Sequence, residues 1–83
     1  MIESREQLLE NFRDKAGAFL TDPSLIAGID FDDATVTLKR YVLTVLRDQE
    51  LGSTLARFPK LIRQLDVNTL SDLVAEVEGR LSD

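Results

Sequence analysis

The chain contains no cysteine, no histidine and no tryptophan. Without cysteine there is no disulfide, no thiolate nucleophile and no thiolate metal site. Without histidine, the commonest general base and the commonest metal ligand are missing together. Serines and threonines occur with no partner base, so nucleophilic catalysis has no support. The glycines stand at 17, 28, 52 and 79, too scattered to form a phosphate-cradling loop. No apolar run approaches the roughly 20 residues of a membrane span, and the acidic start lacks a signal peptide's basic and apolar segments. These absences exclude most enzyme classes. The expectation is a soluble cytoplasmic protein with no catalytic residue, no cofactor, no metal and no membrane contact.

What is present is charge, unevenly placed. The 83 residues form one small domain, 1–83, with a formal net charge of −5, which argues against nucleic-acid binding. Residues 1–33 carry eight acids and three bases, residues 34–65 two acids and six bases, and residues 66–83 five acids and one base. The basic middle has two readings. The acidic flanks neutralise it as they pack, or it is a basic surface presented to an acidic partner.

The stretch from Asp32 to Gly52 organises the rest. As a helix it places Leu38, Tyr41, Val42, Val45 and Leu46 on one core-facing stripe. Asp32 or Asp33 would cap its start, Phe31 would staple onto Val36, and Gly52 would provide the left-handed stop. At about 100° per residue, Val36, Arg40, Leu43 and Arg47 line the opposite face. Residues 34–46 are also rich in Thr, Val and Tyr, which favour strands. The alternation breaks twice, however, and the run is longer than a typical strand.

The other segments are helical as well. Ser4 and Gln7 form a capping box. Leu8, Leu9, Phe12, Ala16, Phe19 and Leu20 then share a face, opposite Glu6, Glu10 and Asp14. Asp22-Pro23 interrupts this helix. Asp22 would cap a short turn closed by Gly28, and the apolar connector Leu25, Ile26, Ile29 and Phe31 would seal one end of the bundle. Leu55, Phe58, Leu61, Ile62 and Leu65 follow helical spacing, read as a short turn at 54–57 and then a short third helix beginning at Pro59, with Lys60 and Arg63 toward solvent. Thr69 would cap a last helix with the stripe Leu70, Leu73, Val74, Val77 and Leu81, and with Glu76 and Arg80 as an i, i+4 pair. Amphipathic segments of this kind hide their stripes only against one another. The fold class expected is therefore all-α, a small four-helix bundle of three longer helices and a short third one. Asp30, Asp32 and Asp33 faintly echo a calcium loop, but the glycine and the closing glutamate do not follow, so capping is the better account.

This layout resembles acyl carrier proteins. The run V-T-L-K-R-Y-V-L-T-V-L-R-D-Q-E-L-G, Val36 to Gly52, is similar to the family's D-S-L, helix, L-G pattern. The ending from Leu65 to Glu78, with T-L-S-D-L, is similar to the final carrier helix. The resemblance implies a carrier-like arrangement of helices. It also implies that Thr37 occupies the place of the serine that accepts phosphopantetheine, with Val36 where the family has Asp. The basic Lys39, Arg40 and Arg47 depart from the acidic second helix of carriers. A degenerate carrier-like domain would act as a docking or adaptor module within a biosynthetic assembly.

The function expected is non-catalytic protein–protein interaction, with Val36, Arg40, Leu43 and Arg47 binding a partner that has an acidic surface. One alternative is an acidic inhibitor of antitoxin or immunity type, using Glu6, Glu10, Asp14 and Asp30 to Asp33. Another is a true carrier loaded at Thr37. With two apolar side chains on its outer face, the central helix predicts a monomer or a weak homodimer. Val45→Ala is expected to cost more stability than Val36→Ala.

Overall fold

Helix α1 spans Arg5–Thr21 and begins where the capping box places it. In the computed structural model, which describes residues 4–82, the Gln7 backbone N–H donates to Ser4 Oγ at 3.2 Å and the Ser4 N–H donates to Gln7 Oε1 at 3.1 Å. Leu8, Leu9, Phe12, Ala16 and Phe19 are buried along one side, as their spacing requires. The helix ends at Asp22, which turns extended before Pro23.

The next helix starts earlier than the sequence predicts. Helix α2 spans Leu25–Tyr41, and its cap is Ser24, whose Oγ accepts from the Ala27 N–H at 3.1 Å. The connector is therefore the first part of this helix, and Asp32 and Asp33 lie inside it instead of capping it. Gly28 does not end anything. A glycine inside a helix costs about 1 kcal/mol relative to alanine, and close packing offsets that cost. Gly28 is buried, and a Cβ there would stand 3.3 Å from both Phe19 Cε1 and Ile62 Cγ2. The buried side of α2 carries Gly28, Phe31, Ala34, Thr35 and Leu38, and continues to Val42. Phe31 thus joins the core and does not staple onto Val36.

Past Tyr41 the helix widens into a single π turn, Val42–Leu46. The N–H groups of Arg47 and Asp48 both donate to the Val42 carbonyl, and Arg47 takes the left-handed conformation at φ 53°. A π turn closes its hydrogen bonds five residues apart and breaks the 3.6-residue register. The predicted stripe consequently holds at Leu38, Tyr41 and Val42 and fails at Val45 and Leu46, which are 62 % and 36 % exposed. The stop is Arg47, not Gly52.

Helix α3, Gln49–Ala56, is capped by Asp48, whose Oδ1 accepts from the Leu51 N–H at 3.0 Å. Gly52 is a buried interior position of this helix. Helix α4, Phe58–Arg63, carries Pro59 in its first turn, as the sequence predicts. Leu65 then turns left-handed at φ 56° and is exposed, so it does not extend the apolar side of α4. Helix α5, Val67–Leu81, is capped by Asp66, and Thr69 supplies the N–H donor at 3.2 Å instead of the cap. An Asp reaching forward three residues does the work expected of Thr69. Leu70, Val74, Val77 and Leu81 are buried along α5.

The fold is all-α, and the described residues contain no strand. α1, α2 and α5 are the longer helices, and the α3–α4 pair takes the place of the single short third helix. α1 packs on α2 and α5, while α4 bridges α2 and α5. All four phenylalanines meet at the centre. Phe31 lies 5.7 Å from Phe12, 5.7 Å from Phe19 and 5.8 Å from Phe58 between ring centroids. Phe12 and Phe58 close the cluster at 5.6 Å. These are tilted and edge-on contacts, the arrangements aromatic rings prefer. The one buried threonine, Thr35, donates from Oγ1 to the Phe31 carbonyl at 2.8 Å, so it carries no unmet donor into the core.

This register reverses one stability expectation. Val42 is fully buried and Val45 is exposed. Val42→Ala is expected to cost about 1–3 kcal/mol and Val45→Ala less than about 0.5 kcal/mol. Urea denaturation of the two variants checks this. Equal losses would mean that the π turn does not swing Val45 out of the core.

Candidate groove between α2 and α4

Seen down its axis, α2 has two apolar sides. One is the core stripe. Leu25, Ile29, Asp32, Val36 and Arg40 recur every three or four residues and so share the other side. Leu25 is 82 % exposed, Ile26 73 % and Ile29 53 %; across from them Leu65, after α4, is 57 % exposed. Leu25, Ile29 and Leu65, together with Pro23, Pro59 and Ile62, line a groove of about 510 Å³, floored by Phe19 and Gly28, and Ile26 lies outside it. The connector expected to seal one end of the bundle therefore sends only Phe31 into the core and leaves Leu25, Ile26 and Ile29 in solvent. The missing side chain at Gly28 lets Phe19 and Ile62 approach α2 and shapes the groove's floor.

Two charged residues line the groove, Asp32 from α2 and Arg63 from α4. Neither forms an ion pair among the described residues. Asp32 is half-buried, and its Oδ1 is shut away from solvent without a hydrogen-bond donor. Arg63 is exposed.

The four residues expected to bind a partner do not all stay together. Val36 and Arg40 are exposed on α2, on the groove-side stripe. Leu43 lies in the π turn, half-buried over Gly52. Arg47 is exposed at the left-handed residue that ends the turn. Thr37 is exposed well inside α2 and donates from Oγ1 to the Asp33 carbonyl at 3.0 Å. Glu6, Glu10 and Asp14 are exposed along α1, and Asp30 and Asp33 along α2. Helical geometry points Asp30, Asp32 and Asp33 in different directions, and no group of three acids able to hold a metal gathers among the described residues.

The ion pairs do not follow the expected neutralisation of a basic middle by acidic ends. Arg80, the base of the acidic tail, reaches the two acids of the middle, Asp48 at 3.3 Å and Glu50 at 3.5 Å. It does so in place of the predicted pair with Glu76. Arg13 joins α1 to Glu78 of α5 at 3.3 Å, and the Arg5 guanidinium donates to the Leu81 carbonyl at the end of α5. Lys39, Arg40, Arg47, Arg57, Lys60 and Arg63 form no ion pair among the described residues.

Sequence reasoning missed the groove because it treated residues 25–31 as irregular. The signal was Ser24 followed by Leu25, Ile26 and Ile29, a cap before apolar residues at helical spacing. No helix among the described residues is long and apolar enough to cross a membrane. No protein-family model, no curated protein and no solved structure matches the chain.

Proposed function

We propose that the chain is a non-catalytic docking module that receives a helix of another protein along the outer side of α2. The observation that carries this reading is the set of large exposed side chains Leu25, Ile29 and Leu65 around one groove. Isolated exposed apolar residues are ordinary, but a contiguous concave group marks a contact site. A peptide that adds a strand needs a sheet edge, which the described residues do not offer. A groove between two helices accepts an amphipathic helix instead. Burying each leucine or isoleucine would contribute about 1.5–3 kcal/mol before the costs of association are subtracted. Val36 and Arg40 continue the same side of α2 beyond the groove. An acidic group on the partner would meet Arg40, an exposed contact that acts mainly on the rate of encounter.

Affinity capture from extract of the source cells tests the surface. The double variant Leu25→Glu/Ile29→Glu is expected to lose the partner retained by the wild-type chain. Both residues are exposed, so its melting transition should stay close to that of the wild type. Arg40→Glu is expected to slow association and to weaken capture by about tenfold or less. If the double variant captures the partner undiminished while Arg40→Glu loses it, the contact lies on the basic side and the groove is not the site.

A further inference from the structure

We infer that the helix received by this groove carries a lysine or arginine that pairs with Asp32. This rests on the docking reading above and specifies the chemistry of its partner. Asp32 stands on the groove-side stripe between Ile29 and Val36, where a solvent-facing helix position would leave a carboxylate free to hydrate. It is half-buried instead, and its Oδ1 has neither solvent nor a donor from the described residues. A carboxylate oxygen buried without a hydrogen bond is costly, and a charged donor at the same carboxylate offsets part of that cost. The torsion that turns an aspartate carboxylate is soft and two-fold, so either oxygen can meet a donor entering from the groove. Arg63 lines the same cavity yet does not pair with Asp32. Being exposed, it is already hydrated and gains little from any partner.

Charge also selects between a foreign helix and a second copy of this chain. A two-fold pairing would set the groove side of α2 against itself, with Asp32 facing its own copy. Residues 1–33 carry eight acids against three bases, and the whole chain is −5, so such a pairing is opposed. A basic amphipathic helix is attracted by the same charges.

A displayed library of amphipathic helical peptides, selected on the full chain, provides the probe. The recovered peptides are expected to share an apolar stripe and a Lys or Arg at one fixed register beside it. Asp32→Asn, which keeps the side chain's shape, is expected to weaken them about tenfold or more. Replacing the peptide's cation with norleucine should lose a similar factor, and the two losses should not add. Asp32→Asn should leave the melting temperature unchanged or raise it, since it removes a poorly satisfied charge. Peptides that require Leu25 and Ile29 but bind Asp32→Asn as tightly as wild type would overturn the cation and leave the docking reading standing. Peptides indifferent to Leu25→Glu/Ile29→Glu would overturn both. A dimer of the chain itself, broken by that double variant in sedimentation equilibrium, would replace the foreign helix with a second copy.

Discussion

Phe31→Ala is expected to cost about 3–5 kcal/mol, the range for deleting a buried aromatic ring. Phe31 is the ring that touches the other three, at 5.7 to 5.8 Å between centroids. It is fully buried, and it comes from the middle of α2. Removing it leaves a void bordered by rigid rings from α1 and α4, which do not collapse inward easily. Phe12 and Phe58 keep only each other, and Phe19 loses its one aromatic neighbour. A domain of 83 residues has a total stability of about 4–12 kcal/mol at roughly 0.05–0.15 kcal/mol per residue. The variant should therefore range from marginal to largely unfolded at room temperature. Chemical denaturation followed by circular dichroism gives the number, with half-buried Tyr41→Ala as a milder control. A loss below about 1 kcal/mol for Phe31→Ala would show that the four-ring cluster is not the core.

Gly52→Ala should destabilise the fold by about 1–3 kcal/mol, the usual cost of overpacking. Helix propensity alone points the other way, since alanine is favoured over an interior glycine by about 1 kcal/mol. Sterics decide the sign. A Cβ on Gly52 would lie 2.3 Å from Leu43 Cδ2 and 2.9 Å from its Cγ. Turning the Leu43 methyl groups about χ2 does not relieve the contact, because Cγ itself stands within 3.0 Å and moves only with χ1 or the backbone of the π turn. The other helical glycines separate the two effects. Nothing lies within 4 Å of a Cβ built at Gly17 or Gly79. Gly17→Ala and Gly79→Ala should each stabilise the protein by about 0.5–1 kcal/mol. Adding Leu43→Ala to Gly52→Ala should recover part of the loss, and a double-mutant cycle measures that coupling. A stabilising Gly52→Ala would mean that Leu43 does not sit over α3.

The glycines also show which information was local and which was not. The sequence alone determined the all-α class, the start of α1 at Ser4, the buried stripes of α1 and α5, and the placement of Pro59 in the first turn of α4. Each of these depends on spacing within one segment: a cap three residues from its acceptor, an apolar residue every three or four positions, a proline where an N–H has no partner. Val36 and Arg40 were readable as outward-facing for the same reason. The start of α2 was not, because Gly28 looks like a stop in sequence and becomes an interior position only when Phe19 and Ile62 close on it. Nor was the π turn, which detaches Val45 and Leu46 from the core and accompanies the seating of Leu43 over Gly52. The groove was the least readable feature. Periodicity shows that α2 has two apolar sides, but not which one the rest of the chain covers. The tertiary structure decided that by packing the four phenylalanines against one side. Leu25 and Ile29 were left on the other, because a core this small has only enough apolar surface to cover one face of the helix.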